Sequence, residues 1–175
     1  MADLTPDLIA GYIARLFERE GLFSHVKEDR GGATKFGVTR STLSFYLGRE
    51  ATIEDVRTLS QEVATAIYRR LYFDNHKIGL LPDEIEEQVF DFGVHSGPGV
   101  AIGALQECVG VPNDGKIGPL TVAATLVACK RDGGRALNLR LSKWRIMMLA
   151  RIVRRDPSQI VFLGGWLKRA LEFAR

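Results

Sequence analysis

Residues 7–39 read DLIAGYIARLFEREGLFSHVKEDRGGATKFGVT. Leu8, Ile9, Tyr12, Ile13, Leu16 and Phe17 recur at helical spacing, so residues 7–19 are predicted to form one amphipathic helix. Pro6 and Asp7 suit its start and Gly21 its end, which leaves Glu20 at or near the last turn. Beyond Gly21 the pattern changes. Gly31, Gly32 and Gly37 are mixed with Phe23, Val26, Phe36 and Val38, and this predicts a loop carrying one or two short strands.

Downstream, helix starts and stops alternate at short intervals. Thr39 or Ser41 suits the cap of a helix running to about Leu47, Thr52 with Asp55 marks a second, and Ser60 a third. Pro82 opens a helix whose first turn is acidic, as the helix dipole favours, and Gly93 with Ser96-Gly97-Pro98-Gly99 is expected to break it. A helix over 100–109 follows. Val111-Pro112-Asn113-Asp114-Gly115 is a turn, and Gly118-Pro119 opens a helix to about Cys129. The longest helix is expected over 135–154, with Leu137, Leu141, Trp144, Met148 and Ile152 as its apolar stripe. Pro157 ends it, and a last segment runs from Gly165 to Phe173. The fold class is therefore mainly α, with a small β element near residues 23–39.

At 175 residues, 46% hydrophobic and 26% charged, the chain has the composition of a globular protein and not of a disordered one. It lacks the roughly 18 uninterrupted apolar residues of a membrane span. Its acidic N-terminus does not read as a secretory signal, so synthesis in the cytoplasm without a standard signal peptide is expected. Cys108 and Cys129 read as buried free thiols, and His25, His76 and His95 have no metal-ligand spacing; no metal and no cofactor are expected. Charge is uneven: residues 1–87 carry 11 basic and 15 acidic side chains, residues 88–175 carry 13 and 6. A basic C-terminal half suits an acidic polymer, and peptidoglycan, nucleic acid and anionic lipid all qualify.

Hydrolysis of a glycosidic bond needs an acid for the leaving oxygen and a second group to direct water or stabilise the sugar cation. Glu20, between an apolar helix and Leu22-Phe23, meets the positional requirement for an acid, and a hairpin-like return can bring Asp29 and Thr34 to face it. A solvated helix-terminal glutamate has the same local sequence. Asp91, His95 and Ser96 are polar residues beside a conformational break; they either line a groove or cap backbone groups. Gln106 has the same two readings.

The tract Glu20-Gly21-Leu22-Phe23 with Asp29-Arg30-Gly31-Gly32-Ala33-Thr34-Lys35-Phe36-Gly37-Val38-Thr39 resembles the signature of glycoside hydrolase family 108, the phage endolysins and bacterial secretion activators that act as N-acetylmuramidases. Leu22 departs from the family's second glycine. His25-Val26-Lys27 stands where an asparagine-aspartate-proline turn is common. Residues 90–106 and the turn Asp114-Gly115-Lys116-Ile117-Gly118-Pro119-Leu120-Thr121 resemble the family's C-terminal peptidoglycan-binding region. The resemblance spans roughly residues 8–170.

It implies a lysozyme-like helical fold, with a catalytic region over 1–87 and a peptidoglycan-binding-like region over 88–175 packed on it as one body. It implies cleavage of the β-1,4 bond between N-acetylmuramic acid and N-acetylglucosamine, with Glu20 as acid and Asp29 and Thr34 serving the water and the sugar cation. The spacing of these three is similar to that of T-even phage lysozymes, which implies inversion. Arg30, Lys35, Asp91, His95, Ser96 and Gln106 are the candidate substrate contacts. The expected partner is the glycan strand of bacterial peptidoglycan, met by a monomer in the periplasm or on the wall, with release through a holin pore as the endolysin route. No stable membrane insertion and no nucleic acid are expected. The rival readings are a non-catalytic peptidoglycan-binding or lysis-accessory protein and, on basic charge alone, a nucleic-acid-binding helical protein.

Overall fold

Thr39, Thr52 and Ser60 each start a helix by the same device: the hydroxyl oxygen accepts the backbone N–H three residues on, from Thr42, Asp55 and Val63. Each such cap contributes about 1 kcal/mol. At Thr52 the Asp55 carboxylate returns the bond to the Thr52 N–H, completing a capping box. The computed structural model describes residues 5–20 and 34–174, with side chains over 8–18 and 34–174. Among the described residues the fold is mainly helical with one two-stranded antiparallel sheet. The chain divides into two compact units, with the boundary after Asn75.

The first unit contains α1 (Thr5–Glu20), β1 (Thr34–Lys35), β2 (Val38–Thr39), α2 (Arg40–Leu47), α3 (Ile53–Arg57) and α4 (Gln61–Tyr68). The apolar stripe of α1 is buried at Ile9, Tyr12, Ile13, Leu16 and Phe17, whereas Leu8 at its start is exposed. α1 packs on α4, where Ala64, Ile67 and Tyr68 are buried. Part of the expected β element, residues 23–33, lies outside the described residues; the remainder is a hairpin pairing Thr34 with Thr39 and Lys35 with Val38. Its two turn residues, Phe36 and Gly37, both have positive φ, 54° and 72°. That is the geometry of a two-residue turn matched to strand twist. A phenylalanine in this conformation costs about 1–2 kcal/mol. Tertiary contacts offset the strain: the Phe36 ring lies 5.4 Å from that of Phe17, and the Tyr68 hydroxyl donates to the Phe36 carbonyl at 3.1 Å.

The second unit contains α5 (Asp83–Ser96), α6 (Pro98–Val109), α7 (Pro119–Asp132), α8 (Gly134–Arg155) and α9 (Ile160–Leu171). α8, about 33 Å long at 1.5 Å per residue, packs against the other four. Three polar pairs join α5 to α8: Glu84 O with Asn138 Nδ2 at 2.7 Å, Gln88 Nε2 with Ser142 Oγ at 2.7 Å, and Asp91 Oδ2 with Arg145 Nη1 at 2.8 Å. The offset is 54 residues in every pair. A constant offset means parallel helices in register, with positions i, i+4 and i+7 of each facing the other. At the start of this seam a Cβ on Gly134 would lie 2.5 Å from Glu84 Cβ, so glycine is required where the two helices converge.

Several expectations are corrected by packing. α5 runs through Gly93 to Ser96, because Gly93 lets Pro98 approach and does not unwind the helix; a Cβ there would lie 3.3 Å from Pro98 Cα. The last helix begins at Ile160, not Gly165. The buried face of α8 is Leu137, Leu141, Ser142, Arg145 and Leu149, while Ile152 is exposed and Trp144 half-buried. The apolar stripe on α8 had to rotate to admit the polar seam. Cys108 and Cys129 are free but only half-buried, and burial pushes the Cys108 thiol up to about 11.

Candidate functional site

In the first unit, Glu20 is the last residue of α1 and Thr34 the first of β1. Phe17 stands one turn before Glu20, and Phe36 two residues after Thr34. The contact between these rings therefore holds the hairpin against the C-terminal turn of α1. Asp29 and Arg30 lie outside the described residues. Thr34 is half-buried, opposite Thr39. Lys35, expected to attract an anionic substrate, donates from Nζ to the Arg57 carbonyl at 2.9 Å and lies over the Phe36 ring. Its ammonium thus closes the C-terminal end of α3, where the helix dipole favours a cation, and ties the hairpin to that helix.

In the second unit, Asp91, His95 and Ser96 occupy the C-terminal half of α5. Asp91 is 2% exposed and is held by Arg145 at 2.8 Å and Arg169 at 3.0 Å, so α5, α8 and α9 meet at one carboxylate. The Arg145 guanidinium, 0% exposed, also lies 4.9 Å from the centre of the Phe92 ring. These contacts give Asp91 a structural task. No local pattern in the sequence pairs residues 54 and 78 positions apart.

Gln106 is likewise 1% exposed. Its Nε2 donates to Asp114 Oδ1, the Lys116 carbonyl and Thr121 Oγ1, and its Oε1 accepts the N–H groups of Asp114 and Gly115. One amide thereby organises the whole Asp114–Thr121 turn, in which Gly115 takes a φ of 68°. The turn motif is real, and its core is a buried glutamine.

His95 and Ser96 remain half-buried. His95 Nδ1 shares a hydrogen bond with Ser96 Oγ at 3.0 Å, and the ring meets Trp166 edge-on, 5.9 Å between centroids. Burial first, then the positive charges of Arg145 and Arg169, push the imidazole down to about 4 against the opposing pull of Asp91. His95 is therefore neutral at physiological pH. Unfolded, it takes up a proton near its ordinary value of 6.5. Between those two values the unfolded chain binds the proton that the folded chain refuses, so this contribution is intact above pH 6.5 and falls away on acidification toward 4. The urea midpoint is expected to drop more from pH 7 to pH 5 in the native chain than in His95→Asn; equal drops would contradict it.

Among the described residues, no cluster of three or more His, Cys, Asp or Glu side chains is placed to hold a metal ion, and no helix is long and apolar enough to cross a membrane. Comparison with known proteins identifies the class of this two-unit, mainly helical chain. Residues 13–97 match the family Glycosyl hydrolase 108, and residues 100–171 match the Predicted Peptidoglycan domain. Comparison with curated protein sequences finds no match. The solved structure of Brucella abortus SagA superimposes with a TM-score of 0.75 at 30% identity, covering 98% of this chain and 98% of that one. The chain belongs to the glycosyl hydrolase 108 family, with the peptidoglycan domain as its C-terminal part, and is a peptidoglycan-acting hydrolase.

Proposed function

We propose that this enzyme is an N-acetylmuramidase that cleaves the β-1,4 bond following N-acetylmuramic acid, with Glu20 as general acid. The observation that carries the reading is the dense signature over residues 20–39, lying wholly inside the family match of 13–97. Glu20 is the last residue of α1, directly before the rest of that signature. Glu20 donates its proton to the glycosidic oxygen as positive charge develops on the anomeric carbon, and water completes the substitution. Asp29 orients that water or stabilises the sugar cation, and Thr34 helps to hold the water. An inverting course requires the two carboxyl groups to stand about 6.5–9.5 Å apart, against about 5–5.5 Å for a covalent intermediate. Arg30 is proposed to attract the anionic wall. Synthesis in the cytoplasm and action on the wall, by way of a pore or after lysis, complete the proposal.

Product analysis of digested sacculi tests it. New reducing ends at muramic acid are expected; release of peptides alone would reject the bond assignment. The second reading, a peptidoglycan-binding protein without turnover, predicts binding to sacculi with no new reducing ends at all.

A further inference from the structure

Only Ala170 of the twelve residues of α9 is buried. Ile160, Val161 and Phe162 are 61%, 76% and 54% exposed, a contiguous apolar surface of the kind that marks a contact site. Phe162 and Trp166, one helical turn apart, hold their rings near-parallel, 26° between planes and 5.9 Å between centroids. The far edge of this pair ends on His95, itself bonded to Ser96. An extended aromatic face bordered by a neutral imidazole and a hydroxyl has the two components a sugar ring needs: an apolar floor for its C–H face and hydrogen-bonding groups at its rim.

A second observation is independent of the aromatics. Gly164 and Gly165 lie side by side in the interior of α9, where each glycine costs about 1 kcal/mol relative to alanine. Neither has positive φ, and a Cβ at either would meet nothing within 4 Å. The folded chain makes no use of the missing side chains. On the helical wheel Gly165 lies between Val161 and Phe162, so the bare backbone extends the floor beside the rings. Lys168, exposed, follows Gly165 by about one turn, on the flank away from Trp166.

We propose that Phe162, Gly165 and Trp166, rimmed by His95 and Ser96, form a saccharide-binding platform on which a pyranose ring of the peptidoglycan glycan strand stacks. The platform rests on the reading of the glycan strand as substrate. A lipid surface is the other occupant an apolar patch suggests, but it has no use for a glycine gap or for a neutral hydrogen-bonding rim.

The chain has two tryptophans, so Trp144→Phe leaves Trp166 as the sole indole reporter. With Glu20→Gln added to stop turnover, titration with peptide-free glycan strands is expected to give a saturable shift in Trp166 emission. Phe162→Ala is expected to weaken binding to sacculi by about tenfold. Gly165→Gln separates binding from folding, because better helix propensity raises the melting temperature while the side chain fills the floor and weakens binding. No emission change with glycan strands overturns the platform, as does unchanged sacculus affinity in both variants. So does a Trp166 response confined to vesicles of anionic phospholipid. If sacculi release peptides instead of reducing ends, the muramidase reading falls while the Trp166 titration still judges the platform. If reducing ends appear and Trp166 stays silent, the platform alone falls.

Discussion

Glu20→Gln is expected to lower the rate of reducing-end release from sacculi by about 10²–10⁴-fold, the range over which a positioned general acid contributes. The amide keeps the size and hydrogen-bonding shape of the acid but has no proton to give the leaving oxygen. Glu20 closes α1, beyond the last residue of the buried stripe formed by Ile9, Tyr12, Ile13, Leu16 and Phe17. Stability is therefore expected to stay within about 0.5 kcal/mol of the native chain. Reducing-sugar release and a thermal melt on the same preparation separate the two effects. Near-native turnover would reject Glu20 as the acid, and a large loss of stability would return it to a structural role. Binding to sacculi should survive, since the substitution leaves the second unit untouched.

The second large effect belongs to stability. Arg145→Met is expected to destabilise the protein by about 3 kcal/mol, the lower end of the range for stripping one partner from a buried ion pair. The buried Asp91 carboxylate then keeps Arg169 but loses the guanidinium at 2.8 Å, and Phe92 loses the cation above its ring. Methionine fills much of the volume, so the loss reflects charge and not a cavity. The melting temperature should fall on the order of 10 °C. Adding Asp91→Asn to Arg145→Met should give a smaller total loss than the two single losses summed, because the second change removes the stranded charge. Strict additivity would mean that the pair contributes little.

Local chemistry made much of the first unit legible. Helix caps at Thr39, Thr52 and Ser60, and the stripe on α1, depend on residues within four positions of one another, and the structure has them where the spacing puts them. The short strands were legible as a tendency of small and β-branched residues. Their closure through Phe36 was not, because an aromatic residue at positive φ is stabilised by Phe17 and Tyr68, 19 and 32 positions away in the chain. The second unit was misread where its packing is polar. An apolar stripe over Leu137, Leu141, Trp144, Met148 and Ile152 satisfies helical periodicity, yet α8 turns Ser142 and Arg145 inward to meet Gln88 and Asp91 on a parallel neighbour.

Glu20 illustrates the division. By itself the sequence determined that it ends an amphipathic helix and heads a signature running to Thr39, since both depend on order along the chain. Tertiary structure alone decided which partners the other polar residues take. Lys35 is tied to Arg57, Asp91 to two arginines and Gln106 to a turn, while His95 and Ser96 stay half-exposed beside Trp166. The reason is physical: a polar side chain has the same local sequence whether it faces water or an interior partner, and the partner is chosen by helix register across tens of residues.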